Sequence, residues 1–159
     1  MKNIIIVDMQ KGFLNKNNEF LSEKINEYLA NNKFENIFYT KFKNNGNSFF
    51  ETLLDWNELS SRESQEFAVN VLKNSKIFEK TGYGLSFSQI EELKRLNIKE
   101  IEICGTDVDA CVLAIMFNLF DAGIKPVLLK DLTASSTNKN LETYAFEIIK
   151  NQFGEKCFK

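Results

Sequence analysis

At 159 residues and 43% hydrophobic composition, with 15 Phe, the chain has the length and apolar content of one folded domain spanning 1–159, not of a disordered segment. Its net charge of −2 sets 18 Lys and 2 Arg among 22 interspersed acids, with no basic stripe, which argues against a nucleic-acid partner. No apolar run reaches the roughly 18 residues of a membrane helix. No signal-peptide pattern precedes residues 4–7, and three cysteines without a CxxC pair read as free thiols, so a cytoplasmic protein is expected.

Residues 4–7 (IIIV) read as a buried strand, and Phe20, Leu21, Ile25, Tyr28 and Leu29 mark one face of a helix. Residues 36–41 (NIFYTK) form a second strand. A loop over 44–48 (NNGNS) leads into a less regular stretch with helical character through Trp56 to Leu72. Residues 75–80 (SKIFEK) read as a third strand, followed by a turn, TGYG, and by a helix over 88–96 capped by Ser86 or Ser88. A strand over 100–104 precedes a helix from about Asp109 to Ala122, stopped by Gly123. The strand 125–129 and a last helix over 137–152 complete the chain. Continuous apolar strands, each followed by a helix, predict a parallel sheet covered on both faces.

Ligands of such sheets sit at the carboxyl ends of the strands, which singles out Asp8, Lys80 and the loop from Gly105 to Cys111. Taken singly, Asp8 reads as well as a turn cap, Lys80 as a solvated lysine beside Glu79, and Cys111 as a small buried hydrophobe. Together they supply a base, a cation and a nucleophile at one sheet edge. The chain has no histidine, so a carboxylate must take the thiol proton. A cysteine at a helix start also meets the positive end of the helix dipole, which favours thiolate. Without histidine, and with three thiols at unsuitable spacings, no zinc site and no cofactor are implied. Gly82-x-Gly84 lacks the third glycine of a phosphate-binding loop and reads as a turn. The Phe34/Phe38/Phe42 and Phe49/Phe50 groups read as core.

The stretches IIIVDMQKGFL, EKTGYGLSF and ICGTDVDACVLAI, with DLTASS and the final QFG, resemble the isochorismatase-like cysteine hydrolases, among them nicotinamidases and N-carbamoylsarcosine amidohydrolases. The resemblance implies a three-layer, Rossmann-like α/β fold with a parallel sheet of about six strands. It also implies an Asp8–Lys80–Cys111 triad that hydrolyses a small-molecule amide or related C–N bond through a thioester. A non-proline cis peptide at Thr106–Asp107 would aim the Asp107 and Cys111 amides at the substrate oxygen. Asp107 stands where the family usually has a small apolar residue, so its carboxylate would repel an anionic substrate or bind a polar or cationic one. Phe13, Trp56, Tyr83 and Val108 would wall the substrate pocket, and a homo-oligomer is expected.

Two departures narrow the activity. Nicotinamidases carry an Asp-x-His metal site after the second strand, where this chain reads YTKFKNNGNSFF. Isochorismatases proper, which cleave a vinyl ether, typically lack the nucleophilic cysteine. The competing readings are a catalytically silent, redox or ligand-binding member of the same fold, or an isochorismatase-type vinyl ether hydrolase.

Overall fold

The computed structural model describes residues 2–159. Five strands, β1 (Lys2–Val7), β2 (Phe34–Phe42), β3 (Lys76–Lys80), β4 (Glu100–Gly105) and β5 (Lys125–Thr133), form one wholly parallel sheet in the order β3-β2-β1-β4-β5. These are the five strands read from the sequence, and the parallel α/β class is as expected, with a sheet close to the six strands that the resemblance implies. The β2 and β3 strands extend to one side of β1, and the chain then crosses to add β4 and β5 on the other. The crevice where that direction reverses opens at the ends of β1 and β4.

Ile4, Ile5, Ile6 and Val7 are all fully buried, which explains an apolar run without alternation. Ile5 and Val7 pack with Phe38, Phe78 and Ile103 under α3 (Phe87–Arg95), α4 (Leu113–Asp121) and α5 (Lys139–Phe153). Ile4 and Ile6 pack with Tyr39 and Cys104 under α1 (Leu21–Asn31). Each such side chain contributes about 1.5–3 kcal/mol on burial. In α1 the buried residues are Leu21, Ile25 and Leu29, one stripe at helical spacing. Ser86 caps α3 through a reciprocal capping box with Gln89.

Three expectations change. The stretch from Trp56 to Leu72 is not helical; the helix there is the short α2 (Phe49–Leu54), which ends in left-handed Asp55. The rest is bound as an irregular strand to the loop after β1: the Lys11, Gly12 and Ala68 amides donate to Glu66, Ser64 and Met9 carbonyls. That partner lies nearly sixty residues away, and local periodicity does not reveal it. Phe49 is 78% exposed instead of core. The helix expected from Asp109 begins as a π-helical turn, Val108–Val112, before α4 proper. Within α4, Ile115, Met116 and Leu119 fill the core, while Phe117 and Phe120 stay partly exposed against Phe153. No helix among the described residues is long and apolar enough to cross a membrane.

At the end of β4, Gly105 has φ +112°, and a Cβ there would meet the Val7 carbonyl oxygen at 2.2 Å. Only glycine lets β4 press this closely on β1 while turning into the loop that leads to Cys111. Gly105→Ala is expected to lower unfolding free energy by about 3 kcal/mol, measured by urea denaturation.

Candidate active site

Asp8 follows β1 in the left-handed region, φ 47°, and is fully buried. The register that pairs Ile6 with Tyr39 places Thr40 beside it. The Thr40 hydroxyl accepts the Asp8 amide at 2.9 Å and donates to Asp8 Oδ1 at 2.6 Å. Asp8 Oδ2 faces Lys80 Nζ at 2.7 Å but receives no well-aligned hydrogen bond, so it keeps a lone pair for another proton.

Lys80 ends β3 two strands away and is 6% exposed. Its ammonium has three electron-rich neighbours: Asp8 Oδ2, the Gly82 carbonyl at 2.8 Å and Cys111 Sγ at 3.3 Å. The Phe42 ring lies 5.2 Å from Nζ as a fourth contact. Burial alone would lower the Lys80 pKa, but the Asp8 and Cys111 charges outweigh it and hold the group above its ordinary value.

Cys111 sits in the π-helical turn ahead of α4 and is 7% exposed. The helix-start position was expected to favour thiolate, and the opposite balance holds. Burial first, and then the Asp8 carboxylate, push the thiol well above its usual pKa, with Lys80 opposing both. Asp8 and Lys80 form a buried ion pair beside the sulfur. The structure thus brings Asp8, Lys80 and Cys111 together from the ends of three strands.

The loop from β4 to the π-helical turn carries a cis Thr106–Asp107 peptide. Thr106 is fully buried, and its hydroxyl meets Asn18 Nδ2 at 3.1 Å, the Ala134 carbonyl and the Asp107 carboxylate. The Asp107 carboxylate also accepts from the Ser136 amide and hydroxyl, both at 2.6 Å. Burial raises its pKa, and the Ser136 and Thr106 donors pull it back. Asp107 thereby ties the segment after β5 to the nucleophile loop. Its own amide donates to no acceptor among the described residues.

Above Cys111 Sγ opens a cavity of about 820 Å³. Phe13, Trp56 and Tyr83 line it, joined by Phe42 and Phe50. Phe13 stacks on Trp56 with ring centres 5.9 Å apart, and Tyr83 meets Phe50 edge-on at 5.0 Å. Val108, expected on this wall, is instead fully buried in the core: it shares a helical face with Val112, and both point toward the sheet. Sequence reasoning passed over Thr40, Phe50, Glu58, Asp109 and Ser136 as site residues. Thr40 becomes visible only once β1 and β2 are known to be neighbours, and Glu58 only once the segment after α2 is known to fold over the cavity.

The residues after β2 do not suit a metal ion. Phe42 points into the aromatic group with Phe13, Phe50 and Trp56. The Asn44 side chain is engaged by Ser48 and by the Trp56 and Glu58 carbonyls. Among the described residues no three His, Cys, Asp or Glu side chains are grouped to hold a metal.

A family model described as "Isochorismatase domain" matches residues 2–157. No curated protein sequence matches the chain significantly. Among solved structures, a pyrazinamidase of Pyrococcus horikoshii in complex with zinc superposes with TM-score 0.83 at 21% identity, covering 99% of this chain and 97% of that one. A nicotinamidase from Bacillus subtilis gives TM-score 0.79 at 19% identity over 100% of both chains. An N-carbamoylsarcosine amidase from Thermoplasma acidophilum gives 0.75 at 15% identity, over 97% and 94%. At these identities the superpositions speak for the fold alone.

Removing one member of a buried ion pair strands the other. Lys80→Met is expected to cost about 3–5 kcal/mol in urea unfolding, and the Asp8→Asn/Lys80→Met double variant less than the sum of the two single changes.

Proposed function

The chain belongs to the isochorismatase domain family, and we propose that it is a cysteine-dependent hydrolase of small-molecule amides or related C–N bonds, working through a thioester. The observation that carries this reading is the solvent-shielded Asp8–Lys80–Cys111 cluster, which reaches the cavity only through the sulfur. The amidase neighbours, alike in fold, point to the same bond class.

In the proposed cycle Cys111 Sγ attacks the amide carbonyl carbon while its proton passes to Asp8 Oδ2. Lys80 stabilises the charge that builds on sulfur in its ionised form. In this reading the Asp107 and Cys111 amides hold the oxyanion. As the tetrahedral adduct collapses the C–N bond breaks, and the leaving nitrogen takes the proton from Asp8. Water then adds to the thioester, giving its proton to Asp8, and the acid departs as the thiol is restored. Each step moves one proton over one short path. No histidine is needed, because a carboxylate buried beside an ammonium serves as both acceptor and donor. The Thr40 hydroxyl fixes the carboxylate so that Oδ2 faces the nucleophile. Three free, buried thiols also suit the reducing cytoplasm in which we place the enzyme.

A release assay across primary amides, ureido compounds and N-carbamoyl amino acids, run beside Cys111→Ala, tests the reading: turnover of at least one class that vanishes in the variant is expected. Iodoacetamide should label Cys111 before Cys104 or Cys157, because Cys111 opens on the large cavity and Cys104 is fully buried. Equal labelling of all three would sink the assignment of the nucleophile.

The charge balance around the sulfur gives a sharper test. Because the thiol sits above its ordinary value of 9.0, labelling of the native protein should keep rising with pH beyond 9.0. Asp8→Asn removes the anion that disfavours thiolate, so the thiol pKa falls and labelling at pH 7.5 speeds up. Amide turnover is lost in the same variant. Lys80→Met shifts the thiol the other way and slows labelling.

A further inference from the structure

The cavity above Cys111 has an unbalanced charge. Every ionisable carboxyl or amino side chain that lines it among the described residues is acidic: Glu58, Asp107 and Asp109, with no lysine or arginine beside them. The nearest ammonium, Lys80, lies beneath the sulfur and is already neutralised by Asp8.

The three acids are not equivalent. Asp107 has its donors in Thr106 and Ser136 and serves the loop that holds it. Asp109 has none: its Oδ1 is buried and meets no hydrogen-bond donor among the described residues. Asp109 thus lines the cavity with a carboxylate that no donor among the described residues satisfies. Glu58 is exposed at the rim, carried by the same irregular segment as Trp56. Phe13, Trp56, Phe50 and Tyr83 line the same cavity in mutual contact, an aromatic wall whose ring faces attract cations and suit a flat group laid against them.

Resting on the amide-hydrolase reading, we infer that this cavity selects small, planar amides that carry a positive charge away from the scissile carbonyl, as a protonated amine or an N-alkylated ring. The carbonyl sits over Cys111, the flat body lies against the aromatic wall, and the cationic end is held by Asp109 and Glu58. The same acids repel substrates that bear a carboxylate, N-carbamoyl amino acids included. Asp109 and Glu58 are thus specificity-determining residues with no part in the proton transfers.

Three primary amides of one shape and different charge test this: benzamide, 4-(aminomethyl)benzamide and 4-carbamoylbenzoate. Ammonia release is expected to give kcat/KM in the order cationic, neutral, anionic, with about fivefold per step, the size of one partly screened ion pair. The order should compress at 0.5 M salt. Glu58→Gln and Asp109→Asn should each bring the cationic-to-neutral ratio toward one; Glu58 is exposed, so its variant is informative even if Asp109→Asn folds poorly. Calorimetric binding of the same three compounds to Cys111→Ala should follow the same order without any turnover.

Hydrolysis of all three amides at equal efficiency, or a preference for the carboxylate, overturns the inference and leaves the hydrolase reading standing. Failure of all three to be hydrolysed, with the cationic compound still bound most tightly by Cys111→Ala, supports the charge selection and counts against amide turnover. A charge order unmoved by either acid variant also overturns it.

Discussion

The contact on which the site depends is the ion pair between Asp8 and Lys80, sealed from water at the joint ends of β1 and β3. Two opposite charges in a poorly hydrated space hold each other strongly, and neither can be lost without stranding the other. The pair can form only because β2 separates the two strands by a single step and lends Thr40 to one carboxylate oxygen. The sulfur then enters from the other side of β1, delivered by the close approach that Gly105 permits. Three distant stretches of chain thus converge because a parallel sheet places all its strand ends on one edge.

The same pair explains why the thiol is quiet at rest. A carboxylate next to a thiol opposes a second negative charge, and burial adds to that opposition, while the ammonium only partly offsets both. In the proposed hydrolase the sulfur would ionise only as an electrophile takes up charge in step with the proton's departure. A permanently ionised thiolate at a cavity mouth would be open to oxidation and alkylation, and this arrangement avoids that exposure.

How far the sequence discloses this depends on which interactions are local. The strands over residues 4–7, 36–41 and 100–104, and the helices with a single apolar stripe, are legible because burial and period are written within a dozen residues. Asp8 and Lys80 stand out in the sequence because one follows a strand and the other ends one, and Cys111 because it lies in the turn that follows β4. The segment after α2 is opaque because its hydrogen bonds go to Met9, Lys11 and Gly12, and no neighbour in sequence announces them. Val108 is misplaced for a smaller reason: the turn before α4 is π-helical, and that rotates which residues face the cavity. The electrostatic sign of the Cys111 environment also escapes the sequence, since a helix start pulls one way and burial the other.

The wall and the floor of the cavity are built on different principles. The floor is sheet, with its residues locked by the core. Part of the wall is α2 and the segment beyond it, and α2 buries none of its own residues. Replacing or resizing α2 therefore removes little core packing, while it changes what borders the cavity. Such a layout separates what the core fixes from what stays adjustable: the strand ends hold the Asp8–Lys80–Cys111 cluster, and α2 is a part of the rim that can be edited.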